Sequence, residues 1–203
     1  MQQFRNLPNQ ITISRLILSL VFFVVIILAN IRYFGAGRQV ALNLSIVLFV
    51  LTAATDFLDG YLARKWQLVS TFGRVADPIV DKVFICGSFV LLVETSELVP
   101  AWFPVIIISR EFLISGIRGF LESCGIAFGA GLSGKLKMGL QSITIPFVLF
   151  HEANYQSSAT WKWIVIALLA ATAFLTLTSS VDYIWRAHRL LKSQGESKTG
   201  DAE

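Results

Sequence analysis

Charged residues are scarce in this chain. Asp, Glu, Lys and Arg make up 15% of its 203 residues, whereas 55% are hydrophobic, and the mean hydropathy is +0.67. Soluble globular domains carry roughly a quarter charged residues, so the composition excludes that class. The sequence therefore predicts an integral membrane protein whose apolar side chains largely face lipid.

Cysteine and histidine are rarer still, with two residues of each type. Cys86 and Cys124 lack the spacing of a metal site, and we expect both to be small buried hydrophobic residues. The net charge of +4 does not indicate nucleic acid binding, because the basic residues are dispersed between apolar runs instead of forming a patch with interleaved aromatic residues.

Six apolar runs predict an all-α protein with six transmembrane helices. They cover residues 11–28, 40–58, 75–93, 99–121, 135–150 and 163–185. We expect residues 1–192 to form one six-helix membrane catalytic domain, with a short N-terminal interfacial segment near Pro8. Residues 193–203 are polar, and we expect a disordered cytoplasmic tail there.

The distribution of basic residues predicts the topology. If the turn around Arg64 is cytoplasmic, thirteen of the 17 basic residues fall at cytoplasmic helix ends. Arg32, Arg38 and Lys162 fall outside, and Arg110 lies at depth. The positive-inside rule then places both termini in the cytoplasm.

Four of the six aspartates in the chain lie in one otherwise apolar stretch: Asp56, Asp59, Asp77 and Asp81. On helices, this spacing puts each pair on one face, so two polar stripes can face each other across a short turn. Four close carboxylates repel one another in a poor dielectric unless a cation neutralises them. Oxygen ligands without nearby His or Cys favour a hard ion, so we predict bound Mg2+ or Mn2+.

The same stretch carries a family signature. It reads Asp56-x-x-Asp59-Gly60-x-x-Ala63-Arg64, then eight residues, then Gly73-x-x-x-Asp77-x-x-x-Asp81. All eight defining positions match, so the stretch resembles the CDP-alcohol phosphotransferase motif. Helix capping is the alternative role for the aspartates, but caps do not require helical repetition through two apolar segments.

The resemblance implies a bundle fold of this family, a homodimer, and an enzyme that transfers the phosphatidyl group of a CDP-linked lipid to an alcohol and releases CMP. We expect Asp56, Asp59 and Asp77 to hold two divalent ions on the pyrophosphate. Asp81 would also touch a metal and accept the proton of the attacking hydroxyl. The alternative for Asp81 is a purely metal-binding carboxylate.

The resemblance also implies a CDP-binding surface. We expect CDP to contact Asp59, Gly60, Ala63, Arg64 and Gly73. Gly60 and Ala63 have little or no side chain and would let the nucleotide approach the backbone closely. Arg64 is placed to pair with a phosphate. For Gly73, ending the turn is an equally good interpretation.

A second polar set lies within the later apolar runs. Arg110 and Arg118 are eight residues apart and share a helix face, while Lys135 and Lys137 begin the next helix. Intramembrane charges usually line a polar cavity or pair with one another. Because arginine suits phosphate capture, we predict an acceptor-phosphate pocket. The alternative is that Arg110 and Glu111 pair structurally between helices while Arg118, Lys135 and Lys137 mark the membrane surface.

This second set, and the opening Asn6-Leu7-Pro8-Asn9-Gln10-Ile11-Thr12 with Arg15, resemble the phosphatidylglycerophosphate synthase branch of the family. That resemblance implies CDP-diacylglycerol and glycerol 3-phosphate as substrates at a bacterial cytoplasmic membrane. Three alternatives stay open: another acceptor such as inositol phosphate, a divalent-cation transporter, and an inactive lipid-binding member. Transport sites tend to lie near the membrane midplane, whereas the aspartates are expected at the cytoplasmic ends of the second and third apolar runs. Transport is therefore disfavoured.

Overall fold

Six helices make up the part of the chain that the computed structural model describes. The structure describes residues 7–31, 35, 37–66, 71–126 and 132–200, and side chains within 13–31, 35, 37–55, 78–126, 134 and 136–192. The helices are α1 (Leu7–Asn30), α2 (Gly37–Trp66), α3 (Thr71–Thr95), α4 (Trp102–Ser123), α5 (Leu132–Asn154) and α6 (Ala159–Gly200). The predicted all-α class is confirmed.

Three of these helices are long and apolar enough to cross a membrane on their own. Within the part of the chain that the structure describes, they are the segments Ile13–Asn30, Gly37–Thr55 and Ala159–Lys192 of α1, α2 and α6. Helices α3, α4 and α5 carry charged side chains in their length, which lowers their mean hydropathy. Six membrane spans therefore remain a proposal, whereas the membrane character of the chain follows from α1, α2 and α6.

Several helix ends differ from the prediction. Residues 7–10 belong to the first turns of a continuous α1 instead of forming a separate interfacial segment. Helix α2 continues past the apolar run to Trp66, and α3 begins at Thr71. Pro8 is tolerated because the first turn needs no backbone donor. Pro78 lies inside α3, seven residues after its start at Thr71, so it removes a helical hydrogen bond.

Two further differences lie near chain ends and turns. Helix α6 extends to Gly200, into the segment 193–203 expected to be a tail; its Lys, Gln and Glu residues are good helix formers. Cys86 is half-buried and Cys124 is exposed, so the expected burial of both is wrong. Cys124 caps α4 at the end of the bundle, and Gly125, with φ +77°, turns the chain there.

Aromatic packing joins the first three helices. Phe22 of α1, Phe49 of α2 and Phe84 of α3 are nearly fully buried. The ring centroids of Phe49 and Phe84 are 4.9 Å apart, and those of Phe22 and Phe84 are 5.4 Å apart in an edge-to-face arrangement. A Cβ on Gly87 would lie 2.8 Å from the Phe23 ring, so glycine permits the close approach of α1 and α3.

A buried polar cluster joins the helix ends at the end of the bundle far from Asp81. The carboxylate of Glu152 accepts hydrogen bonds from Ser96 Oγ and Gln156 Nε2, both at 2.6 Å. The Arg38 guanidinium lies 3.8 Å from the same carboxylate. Glu152 thus links α2, the segment after α3 and the segment after α5 at the bundle end remote from the aspartates.

Candidate active site

The backbone places the signature on two consecutive helices. Asp56 and Asp59 lie in the C-terminal half of α2, and Asp77 and Asp81 lie one turn apart on α3. The predicted helical periodicity of the motif is therefore present. Most of the predicted side chains lie outside the described ones: Asp56, Asp59, Gly60, Ala63, Arg64, Gly73 and Asp77. Their metal-binding and CDP-binding roles stay predictions.

Asp81 is the signature aspartate whose side chain the structure describes. Arg15 NH1 of α1 donates a hydrogen bond to Asp81 Oδ1 over 2.9 Å, and the Arg15 side chain is 4% exposed. A buried guanidinium supplies a countercharge and fixes the carboxylate orientation. From the sequence, Arg15 was interpreted as a marker of the cytoplasmic helix end. A charged residue inside an apolar helix usually pairs with another charge, and this was the signal that could have identified Arg15 as a partner of a site residue.

A cavity of about 300 Å³ extends from Asp81 between α3, α4, α5 and α6. Four basic side chains and two acidic ones line it: Lys82, Arg110, Arg118, Lys137, Asp81 and Glu111. The predicted acceptor residues Arg110, Arg118 and Lys137 are thus brought together at one cavity. The side chain of Lys135 lies outside the described ones. The excess of cations suits an anionic ligand.

Three of these charges form a buried triad. Glu111 Oε1 accepts from Arg110 NH1 over 3.2 Å and also from Lys137 Nζ. The Lys137 side chain is 1% exposed and that of Glu111 is 14% exposed. The Arg110–Glu111 contact joins neighbouring residues of α4, so the alternative of a pair between helices is not what the structure shows; the contact between helices is that of Glu111 with Lys137, and all three residues line the cavity. Removing the partner of a buried charge is strongly destabilising, so Glu111 stabilises both cations in the wall of the cavity.

Polar partners orient the other two cations. Arg118 Nε donates to the hydroxyl of Tyr183 over 3.3 Å, and Lys82 Nζ donates to Ser115 Oγ over 2.6 Å. Sequence reasoning missed Lys82, Ser115 and Tyr183. Lys82 follows Asp81 directly, which placed it among the topology markers, and Tyr183 lies in an apolar run that gave no signal.

The donor set of the signature fits a hard divalent cation. It consists of carboxylates, and the described member, Asp81, has its side chain 29% exposed toward the cavity and already binds a cationic group, Arg15. Among the described side chains there is no cluster of three metal-ligating residues, since three of the four aspartates lie beyond them. A set of carboxylates suits hard divalent cations better than softer metals.

Comparison with known proteins agrees with the resemblance. Residues 5–178 match the model of the CDP-alcohol phosphatidyltransferase family. Proteins named CDP-diacylglycerol–glycerol-3-phosphate 3-phosphatidyltransferase are similar along most of their length. The Bacillus subtilis protein is 35% identical over 196 residues, covering 93% of this chain and 98% of that protein.

Two further proteins of the same name show that the similarity is not confined to one bacterial group. The Rickettsia typhi protein is 35% identical over 182 residues, covering 88% of this chain and 95% of that protein. The Haemophilus influenzae protein is 34% identical over 182 residues, covering 88% and 91%. With its signature helices, its cationic cavity and a family match over most of its length, the chain belongs to the CDP-alcohol phosphatidyltransferase family.

Proposed function

We propose that this enzyme transfers the phosphatidyl group of CDP-diacylglycerol to sn-glycerol 3-phosphate, giving phosphatidylglycerophosphate and CMP. The observation that carries the proposal is the cationic cavity that begins at Asp81 and is lined by Arg110, Arg118 and Lys137. A phosphorylated acceptor needs such a cavity beside the reacting groups. The names of the similar bacterial proteins describe the same reaction.

The reaction is a substitution at the lipid phosphorus. A P–O bond forms to the acceptor hydroxyl oxygen, the P–O bond to CMP breaks, and the hydroxyl proton passes to the Asp81 carboxylate. Arg15 holds that carboxylate in place through the 2.9 Å hydrogen bond. Arg118 and Lys137 bind the acceptor phosphate, together with Arg110 and Lys135.

Metal and nucleotide binding belong to the signature helices. Asp56, Asp59, Asp77 and Asp81 would hold two divalent ions, Mg2+ or Mn2+, and these would neutralise charge developing on the phosphoryl oxygens. Chelation is expected to abolish activity, and added Mg2+ or Mn2+ to restore it. The CDP-contacting residues are those expected from the motif: Asp59, Gly60, Ala63, Arg64 and Gly73.

The proposed topology has six spans, with both termini and the active site at the cytoplasmic face of a bacterial membrane. The charged helices α3, α4 and α5 are compatible with this, since Lys82, Glu111 and Lys137 have polar partners inside the bundle. Residues 1–192 form the proposed catalytic domain. The proposed homodimer rests on the family resemblance.

An acceptor panel tests the proposal. Purified protein is incubated with CDP-diacylglycerol, Mg2+ and, separately, glycerol 3-phosphate, inositol phosphate or serine, while CMP release and the lipid product are followed. Release with glycerol 3-phosphate and formation of phosphatidylglycerophosphate are expected. Preferential CMP release with inositol phosphate would show that the cationic cavity serves that acceptor instead. No CMP release with any acceptor would refute phosphatidyl transfer to these alcohols.

A further inference from the structure

Gln141 is a buried polar side chain on the wall of the cavity that begins at Asp81. It is 2% exposed and lines the cavity, and its Nε2 has no hydrogen-bond partner within the described structure. Buried donors are almost always paired, because an unpaired donor destabilises the folded protein. An unpaired donor on a residue that lines the cavity is therefore a candidate to bind a ligand oxygen.

The neighbours of Gln141 indicate which kind of oxygen it binds. Lys137, one helical turn earlier on α5, is a basic side chain that contacts Glu111, and Arg118 reaches the cavity from α4. These charged donors suit a phosphate group. The Gln141 amide is neutral, and it suits an uncharged hydroxyl oxygen.

The acceptor offers one group for each of these environments. In glycerol 3-phosphate, successive carbons carry the reacting hydroxyl, a central hydroxyl and the phosphate. Asp81 requires the first group and the cations require the third, so the central hydroxyl remains for Gln141. We propose that Gln141 Nε2 donates a hydrogen bond to this central hydroxyl and selects a small polyol phosphate as acceptor; the inference rests on the proposed function.

An acceptor analogue makes the proposal testable. The compound 3-hydroxypropyl phosphate keeps the reacting hydroxyl and the phosphate but lacks the central hydroxyl. We expect the wild-type enzyme to favour glycerol 3-phosphate by about tenfold or more in kcat/KM, because a site built to bind a hydroxyl disfavours the analogue that lacks it. In Gln141→Met the preference is expected to fall below about threefold, since Met has a similar length and no donor.

A stability measurement separates this role from a structural one. Gln141→Met removes an unpaired buried donor, so its melting temperature is expected to equal or exceed that of the wild type. Gln141→Leu provides a second apolar variant should Met fold poorly. The matched control is Ser142→Ala on the same helix, whose hydroxyl bonds to its own helix at the Met138 carbonyl; its acceptor preference is expected to match the wild type.

The outcomes are distinct. Absence of CMP release from wild-type enzyme with glycerol 3-phosphate refutes the proposed function itself. Turnover of glycerol 3-phosphate without preference over the analogue overturns the Gln141 proposal alone. A preference retained in Gln141→Met, or a preference lost equally in Ser142→Ala, also overturns it. Loss of the preference in Gln141→Met, with stability maintained and the control unchanged, supports it.

Discussion

Replacing Glu111 by Gln removes the anion from the buried triad while keeping the side-chain shape. Lys137, 1% exposed, and Arg110, 10% exposed, would lose the carboxylate oxygen that both contact. Removing one partner of a buried ion pair costs about 3–5 kcal/mol, because the remaining charge stays desolvated. For a chain of this size each kcal/mol lowers the melting temperature by about 2–4 °C. The expected decrease is therefore about 6–20 °C.

A second substitution tests the cause of that decrease. In the double variant Glu111→Gln with Lys137→Met, no buried ammonium is left at this position, so most of the lost stability is expected to return. The control is Asp182→Asn, which removes one partner of the exposed Arg186–Asp182 pair on α6, 2.6 Å apart. An exposed pair at this spacing contributes about 0.5 kcal/mol or less.

Thermal unfolding of the detergent-purified variants, followed by tryptophan fluorescence, measures all three effects. Size-exclusion chromatography at the starting temperature checks that each variant is folded and monodisperse. A Glu111→Gln variant that melts within about 2 °C of the wild type would refute the reasoning. So would a double variant that melts as low as the single one, because the unpaired ammonium would then not be the cause.

Four further substitutions test the site and the far end of the bundle. Asp81→Asn is expected to lower CMP release at least about 100-fold while CDP-diacylglycerol binding, measured by equilibrium binding, is retained; unchanged turnover would remove Asp81 from the base role. Arg110→Ala or Lys135→Ala is expected to raise KM for glycerol 3-phosphate more than KM for the lipid donor, and the opposite pattern would argue against the acceptor pocket. Glu152→Gln is expected to lower the melting temperature by several degrees, since three groups lose a carboxylate partner, with kcat within about twofold of the wild type because the site is at the other end; a large loss of kcat would contradict that separation.

The helical spacing of the signature was readable from the sequence, whereas the helix ends were not. Offsets of three and four between Asp56 and Arg64 indicated a helix, and α2 does run through them. Hydropathy nevertheless ended the second apolar run at Leu58. Hydropathy detects the change from lipid-facing to polar sequence, but the residues from Tyr61 to Trp66 include good helix formers, so the helix continues beyond that boundary.

The partners of the buried charges could not be predicted from spacing alone. Arg110 and Glu111 were recognised as intramembrane charges, but the contact of Glu111 with Lys137 joins residues 26 positions apart. Arg15 and Asp81 are 66 positions apart. Periodicity determines which residues share a helix face, not which face meets another helix. That is why Arg15 and Lys82 were interpreted as topology markers and not as site residues.

Three of the four helices that line the cavity, α3, α4 and α5, are not among the described helices that are long and apolar enough to be spans by themselves. Helices α1, α2 and α6 contain the apolar segments, while α3, α4 and α5 contribute Lys82, Glu111 and Lys137 to the cavity. Each of these three side chains is stabilised by a partner on a neighbouring helix. Each of the three helices would therefore be less stable alone in lipid than packed in the bundle. In the proposed six-span topology, insertion of these three helices would depend on the assembled bundle. The same pairing that would make their insertion tolerable holds the cations at the cavity.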